Sequence, residues 1–210
     1  MRRLDWDSEF FGIEVGMAED PHESTAGYDV TWILLDTPLR VQEAEAHGYR
    51  FRDIRAEYAR ATYSFHYNCR LARDSDADWM IQLARTAHTN TRFYADLGFT
   101  RDHCADLYDT WMRRAISEDK VFVAGNRSGY VTVRDGSIGL IAVAPEARGH
   151  GVGADLVNDA IVYCHSLGLD EIRVVTQGAN IAANRLFQHC GFRLESTKVW
   201  MSKWSGKDWA

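Results

Sequence analysis

Between Ser137 and Gly153 the chain reads S-I-G-L-I-A-V-A-P-E-A-R-G-H-G-V-G, an order of residues that few backbones can follow. An apolar, β-rich run (Ile138, Leu140, Ile141, Val143) stops at Pro145, and Arg148, Gly149, Gly151 and Gly153 then open an amphipathic helix. A strand, a tight loop and a helix N-terminus are therefore predicted in immediate succession. Glycines at such a junction let the backbone approach a ligand with no Cβ in the way, and the first helical turn carries amides that have no acceptor inside the helix. Together they form a cradle for phosphate, and a diphosphate is its natural guest.

A second segment narrows the choice. From Glu171 the chain reads E-I-R-V-V-T-Q-G-A-N-I-A-A-N-R-L-F-Q-H-C-G-F-R-L, which predicts a short buried strand, a helix ending at Gly191 and a further strand. On these two segments the chain resembles the GNAT family of N-acetyltransferases. Arg148, Gly151 and Gly153 meet the first family signature, R/Q-x-x-G-x-G/A; Asn180, Ala183, Leu186, Gly191 and Phe192 meet the second, N-x-x-A-x-x-L-Y-x-x-x-G-F. Phe187 departs from it, standing where the family usually has tyrosine.

The resemblance covers about the last two thirds of the chain and implies the GNAT fold, an α/β (α+β) architecture with a mixed, mostly antiparallel sheet flanked by helices. It implies acetyl-CoA as co-substrate and no metal. Arg148, Gly149, His150, Gly151, Val152 and Gly153 would grip the pyrophosphate, and the backbone at Ile141, Ala142 and Val143 would hold the thioester and its oxyanion. Asn180 would bond the pantetheine arm, beside Phe187. The family tyrosine at position 187 is usually assigned to protonating the leaving sulfur, and phenylalanine has no proton to give. Either the acid is dispensable, or Tyr94, Tyr108, His103 or His150 reaches the site instead. The base that takes the amine's proton is not named by any motif.

Turn signals and periodicity predict the same order of elements independently. Trp79, Leu83 and Ala87 share a helical face after the capping residues Asp74, Ser75 and Asp76; Leu107, Trp111 and Ala115 share another. V-F-V-A, G-Y-V-T-V and I-G-L-I-A-V follow with short joins, the signal of an antiparallel meander. The loop between the two helices holds Arg92, Phe93 and Tyr94, a cation and two aromatics suited to the phosphate and base of a nucleotide.

Residues 1–72 repeat part of this plan. Y-D-V-T-W-I-L-L-D reads as a strand, P-L-R-V-Q-E-A-E-A-H as a helix opening at Pro38, and G-Y-R-F-R-D-I-R-A-E-Y-A-R-A-T-Y as a long strand. A-H-G-Y-R-F (46–51) matches H-C-G-F-R-L (189–194). The expectation is a partial GNAT-like lobe over 1–72, with no glycine cradle and no CoA of its own, joined to an acetyltransferase domain over 73–210.

A narrower resemblance, to nucleotide-amino-sugar N-acetyltransferases, runs from end to end: Trp6, Phe10, Phe11 and Gly12, then Arg92 to Tyr94, Trp111, Val174 to Asn180, and Glu195 to Thr197. It implies a TDP-linked amino-dideoxy sugar as acceptor, acetylated at its 4-amino group, with Arg92, Phe93 and Tyr94 as substrate contacts. For Phe10 and Phe11, ordinary core packing is the better reading. Two other functions stay open: a GNAT enzyme with another amine acceptor, such as an antibiotic, a polyamine or a protein N-terminus, and a CoA-binding protein without catalysis.

Composition excludes several classes. At 210 residues and 46% apolar, the chain can bury a full core. Thirty acidic against 24 basic side chains leave a net charge of −6, which repels phosphate backbones and argues against a nucleic-acid partner. Cys69, Cys104, Cys164 and Cys190 are widely spaced and read as buried thiols, not as disulfides or zinc ligands. The opening M-R-R-L-D-W-D lacks the apolar run of a signal peptide, and no stretch is long enough to span a bilayer. A cytoplasmic enzyme is expected, without membrane contact; the resemblance suggests a homodimer.

Overall fold

The structure, a computed structural model, describes residues 1–206. In chain order the elements are β1 (Arg2–Arg3), α1 (Asp5–Phe11), β2 (Val15–Ala18), β3 (Val30–Leu35), α2 (Pro38–Ala46), β4 (Arg50–Ala61), β5 (Arg70–Leu71), α3 (Ala77–Ala87), α4 (Arg92–Ala95), α5 (Arg101–Glu118), β6 (Lys120–Val123), β7 (Gly129–Arg134), β8 (Ser137–Val143), α6 (Val152–Ser166), β9 (Glu171–Gln177), α7 (Ile181–His189) and β10 (Arg193–Trp204).

Local chemistry sets the boundaries. Thr37 caps α2, its hydroxyl accepting from the Arg40 amide, with Pro38 supplying the fixed φ of the first turn; Thr100 caps α5 in the same way through the His103 amide. Asp135 and Gly136 take φ of 47° and 74° in the two-residue turn between β7 and β8, the geometry that keeps a hairpin's twist. The expected meander is present, β6, β7 and β8 pairing antiparallel.

All ten strands form one sheet, in the order β1-β2-β3-β10-β4-β9-β8-β7-β6-β5. The segments 1–72 and 73–206 therefore share it. The reason is β10, whose two edges pair antiparallel with β3 on one side and β4 on the other. The units β3-α2-β4 and β9-α7-β10 interleave strand by strand. Their matching hexapeptides form the same joint: Gly48 (φ 85°) and Gly191 (φ 80°) end their helices left-handed, and the next amide, of Tyr49 or Phe192, returns to a carbonyl five residues back at 2.9 Å. Both aromatics are buried.

Helices α6 and α7 cover one face, over Val131, Ile138, Tyr58 and Val174. On the other, α3 and α5 pack over Val121, Val123, Tyr130 and Ala142, and an aromatic cluster of Phe11, Trp32, Phe93 and Phe99 joins α1 and α4 to β3. Between these two patches the centre of the sheet is bare. There Glu57 accepts from Arg55 (2.6 Å) and Ser196 (2.8 Å), and Val175 is exposed. Among the described residues no helix is long and apolar enough to cross a membrane.

Candidate active site

Strands β8 and β9 run parallel but pair only at Ser137 with Arg173 and Ile138 with Val174. Beyond that point they part, so the edge of Leu140–Val143 facing β9 has no strand partner, and its amides and carbonyls are left for a ligand. The loop that follows is tied back to this strand by Arg148, whose Nε donates to the Val143 carbonyl at 3.2 Å.

Next come five successive amides, Gly149 to Gly153, none of which finds a backbone acceptor among the described residues. Gly149 and Gly151 take φ of 80° and 84°, values that favour glycine, and a Cβ on either would meet nothing within 4 Å. Gly153 serves packing instead, since a Cβ there would come within 3.1 Å of the Leu186 side chain. The amides, the positive end of α6 and the free edge of β8 line a groove of about 610 Å³. Asn180 on the far wall caps α7, its Oδ1 accepting from the Ala183 amide at 3.2 Å. These features fit the diphosphate and the amide-bearing arm of acetyl-CoA.

A second, smaller cavity of about 80 Å³ adjoins the groove, lined by Asp53, Arg92, Tyr108, Gln177 and Trp200 among others. Two segments border both: Thr89 and Asn90 line the groove while Thr91 and Arg92 line the pocket, and Gln177 lines the pocket while Asn180 lines the groove. Asn90 and Thr91 are consecutive, so the segment 89–92 contributes to both walls.

The Arg92 guanidinium sits 4.3 Å from the ring centres of both Trp200 and Phe93. Its Nε is buried without a hydrogen-bond partner, and desolvation pulls its pKa down while Tyr108, Asp7 and Asp53 oppose the shift through space. A buried cation whose Nε has no hydrogen-bond partner suits an anionic ligand. Burial pushes Asp53 up to about 6 against the opposing pull of the Ile54 amide and of Arg92. Burial also pushes the Tyr108 phenol up to about 12 and His88, stacked on it at 4.8 Å, down to about 4.

Most residues singled out in the sequence converge on these two cavities. Ile141, Ala142, Val143, Arg148, Gly149, Gly151, Val152, Gly153 and Asn180 all line the groove, and Arg92, Phe93 and Tyr108 line the pocket. Four are placed elsewhere. Phe187, expected beside the cofactor, is 1% exposed in the core under α6. The His150 side chain is exposed and lines neither cavity, although its amide belongs to the unpaired run. His103 stands exposed on the first turn of α5, its ring 6.4 Å from that of Phe11, and Tyr94 packs into the aromatic cluster.

Asp53, Gln177 and Trp200 line the pocket without having been singled out as its wall. Asp53 carried a faint signal, an acid between the basic and apolar residues of R-F-R-D-I-R. Only the register that sets it opposite Trp200 makes it part of a site.

Residues 78–192 match the Acetyltransferase (GNAT) family. A dTDP-fucosamine acetyltransferase of Escherichia coli is 29% identical over 143 residues, 62% of this chain and 61% of that protein, short of the end-to-end likeness expected from the sequence. A spore coat polysaccharide biosynthesis protein of Bacillus subtilis is 25% identical over 63% of this chain and 49% of its own length. The chain thus spans about half to three fifths of the length of these two relatives. A putative GNAT acetyltransferase from Novosphingobium aromaticivorans superposes with a TM-score of 0.57 at 15% identity, over 94% of this chain and 79% of that one, a likeness of fold.

Proposed function

Because the chain belongs to the GNAT family of acetyltransferases, we propose that it is a cytoplasmic enzyme moving acetyl from acetyl-CoA to the amino group of a nucleotide-linked (TDP) amino-dideoxy sugar, at C4, by direct attack in a ternary complex. The observation that carries the reading is the run of unpaired amides from Gly149 to Gly153 at the end of a strand edge that has parted from its neighbour. That arrangement suits a diphosphate at one end of the groove and a thioester further along it. The sugar nucleotide as acceptor is supported by the name of the dTDP-fucosamine acetyltransferase relative and by the unpaired Arg92 in the adjoining pocket.

In this reading the neutral amine attacks the thioester carbonyl while the backbone at Ile141 to Val143 holds the oxyanion. Arg148 and the amides through Gly153 hold the pyrophosphate. The bare centre of the sheet gives a long acceptor a surface to lie on, and binding energy far from the amine helps to aim it.

The test is incubation with acetyl-CoA and a panel of TDP- and UDP-linked amino sugars, with free thiol followed over time. Release with a TDP-linked 4-amino sugar is the expected result. Release only with amines that carry no nucleotide assigns a different acceptor, and tight CoA binding with no release makes the chain a binding protein.

A further inference from the structure

We propose that Asp53 is the base that removes the proton from the attacking amine. The inference rests on acetyl transfer to an amine but not on which amine. Asp53 lines the small pocket, which meets the wall of the groove along residues 89–92, on the face of the sheet that α6 and α7 leave open.

The guanidinium groups of Arg55 and Arg92 are donors with no acceptor to offer. Tyr108 keeps its proton up to about 12. Thr91, Gln177, Trp111 and Trp200 do not titrate in this range. Asp53 is the one side chain of the pocket that can take up a proton near neutral pH, and the cation acting on it is Arg92, through space. Being 8% exposed, Asp53 is shielded from water yet open to the pocket.

The charged and titratable groups that face it come from three elements: Arg55 on its own strand, Arg92 on α4 and Tyr108 on α5. Asp7 of α1 acts through space on Arg92. β9 and β10 contribute Val175, Thr176, Gln177 and Trp200, none of them charged.

The step balances without a co-reactant. The amine nitrogen forms a C–N bond to the thioester carbon, giving a tetrahedral adduct with a positive nitrogen. Asp53 takes one N–H proton from that adduct, which is far more acidic than a free ammonium. The C–S bond then breaks, coenzyme A leaves as a thiolate, and the proton passes from Asp53 to water, from which the thiolate is protonated.

Two measurements test it. Over the range below the amine's own pKa, with acetyl-CoA and TDP-4-amino-4,6-dideoxygalactose, log kcat/KM should rise with pH at a slope of two below pH 6, where both Asp53 and the amine must lose a proton, and at a slope of one above it. Asp53→Asn should lower kcat/KM by about 10²- to 10⁴-fold, keep a slope of one throughout, and leave the KM for acetyl-CoA unchanged. Asp53→Glu should restore the steeper limb. An Asp53→Asn variant within threefold of the parent, or one that keeps the slope of two, overturns the assignment.

The second readout needs no acceptor. In protein labelled with ¹³C-aspartate and saturated with CoA, a carboxyl carbon missing from Asp53→Asn should titrate near pH 6, and one titrating at 4 or below overturns the assignment. If no amino sugar nucleotide releases thiol, the substrate reading fails and this titration decides Asp53 by itself.

Discussion

The ring centre of Phe187 lies 6.2 Å from that of Tyr58 and 5.7 Å from that of Phe192, so a hydroxyl added at its tip would enter the core and not the groove. This changes the meaning of the missing tyrosine. The position does not present a defective acid to the thioester; it presents no group at all. The chemistry tolerates that, because a thiol of ordinary pKa near 8.5 expelled unprotonated at pH 7 forgoes only about 2 kcal/mol. Phe187→Tyr should therefore leave kcat within a factor of two. A buried hydroxyl without a partner costs about 1–3 kcal/mol, which at roughly 2–4 °C per kcal/mol in a domain of this size should lower Tm by a few degrees. Thiol release and a melting curve on the same sample check both, and a tenfold gain in kcat would show that position 187 reaches the sulfur after all.

Helix α7 begins on a residue with two tasks. The Oδ1 of Asn180 accepts from the Ala183 amide, while the residue also lines the groove. Aspartate keeps the acceptor and suits the positive helix end, whereas alanine removes both functions. Asn180→Ala should lose about 1 kcal/mol of stability and Asn180→Asp almost none. Both should weaken acetyl-CoA by about fivefold, the worth of one hydrogen bond near 1 kcal/mol. Calorimetric titration alongside melting separates the two tasks, and an unchanged affinity in both variants removes Asn180 from the binding residues. Elements with a strong local code, such as α5 or the β7–β8 hairpin, were legible in the sequence because cap, period and turn residues all agree. The two-residue strands β1 and β5 and the one-turn α4 were not, since they are too short to show a period and exist only through their partners. The same divide runs through the site. The glycine loop is local and could be read residue by residue, but Asp53 becomes a pocket residue only when β4 pairs with β10 and β9.

That pairing binds the whole molecule. The strand order β3-β10-β4-β9 places a strand from residues 73–206 inside the N-terminal part and a strand from residues 1–72 inside the acetyltransferase part. Buried charge reinforces it: Asp96, in the loop after α4, pairs with Arg52 of β4 at 3.0 Å and accepts from Ser202 and Trp204 of β10 at 2.6 and 2.9 Å. A chain lacking residues 1–72 would leave Asp96 without its cation, strip both edges of β10, and uncover the Phe187 side of the core where Ala56 and Tyr58 now lie. Leaving a buried charge unpaired costs about 3–5 kcal/mol, a large part of the roughly 5–15 kcal/mol that holds a domain folded. Residues 73–210 expressed alone should therefore show no cooperative thermal transition and bind no acetyl-CoA, and mixing with a 1–72 fragment should restore both, as followed by circular dichroism and calorimetric titration. A cooperative melt and micromolar acetyl-CoA binding by the isolated 73–210 fragment would mean that the interleaved strands are an attachment to an independent domain and not the means by which it folds.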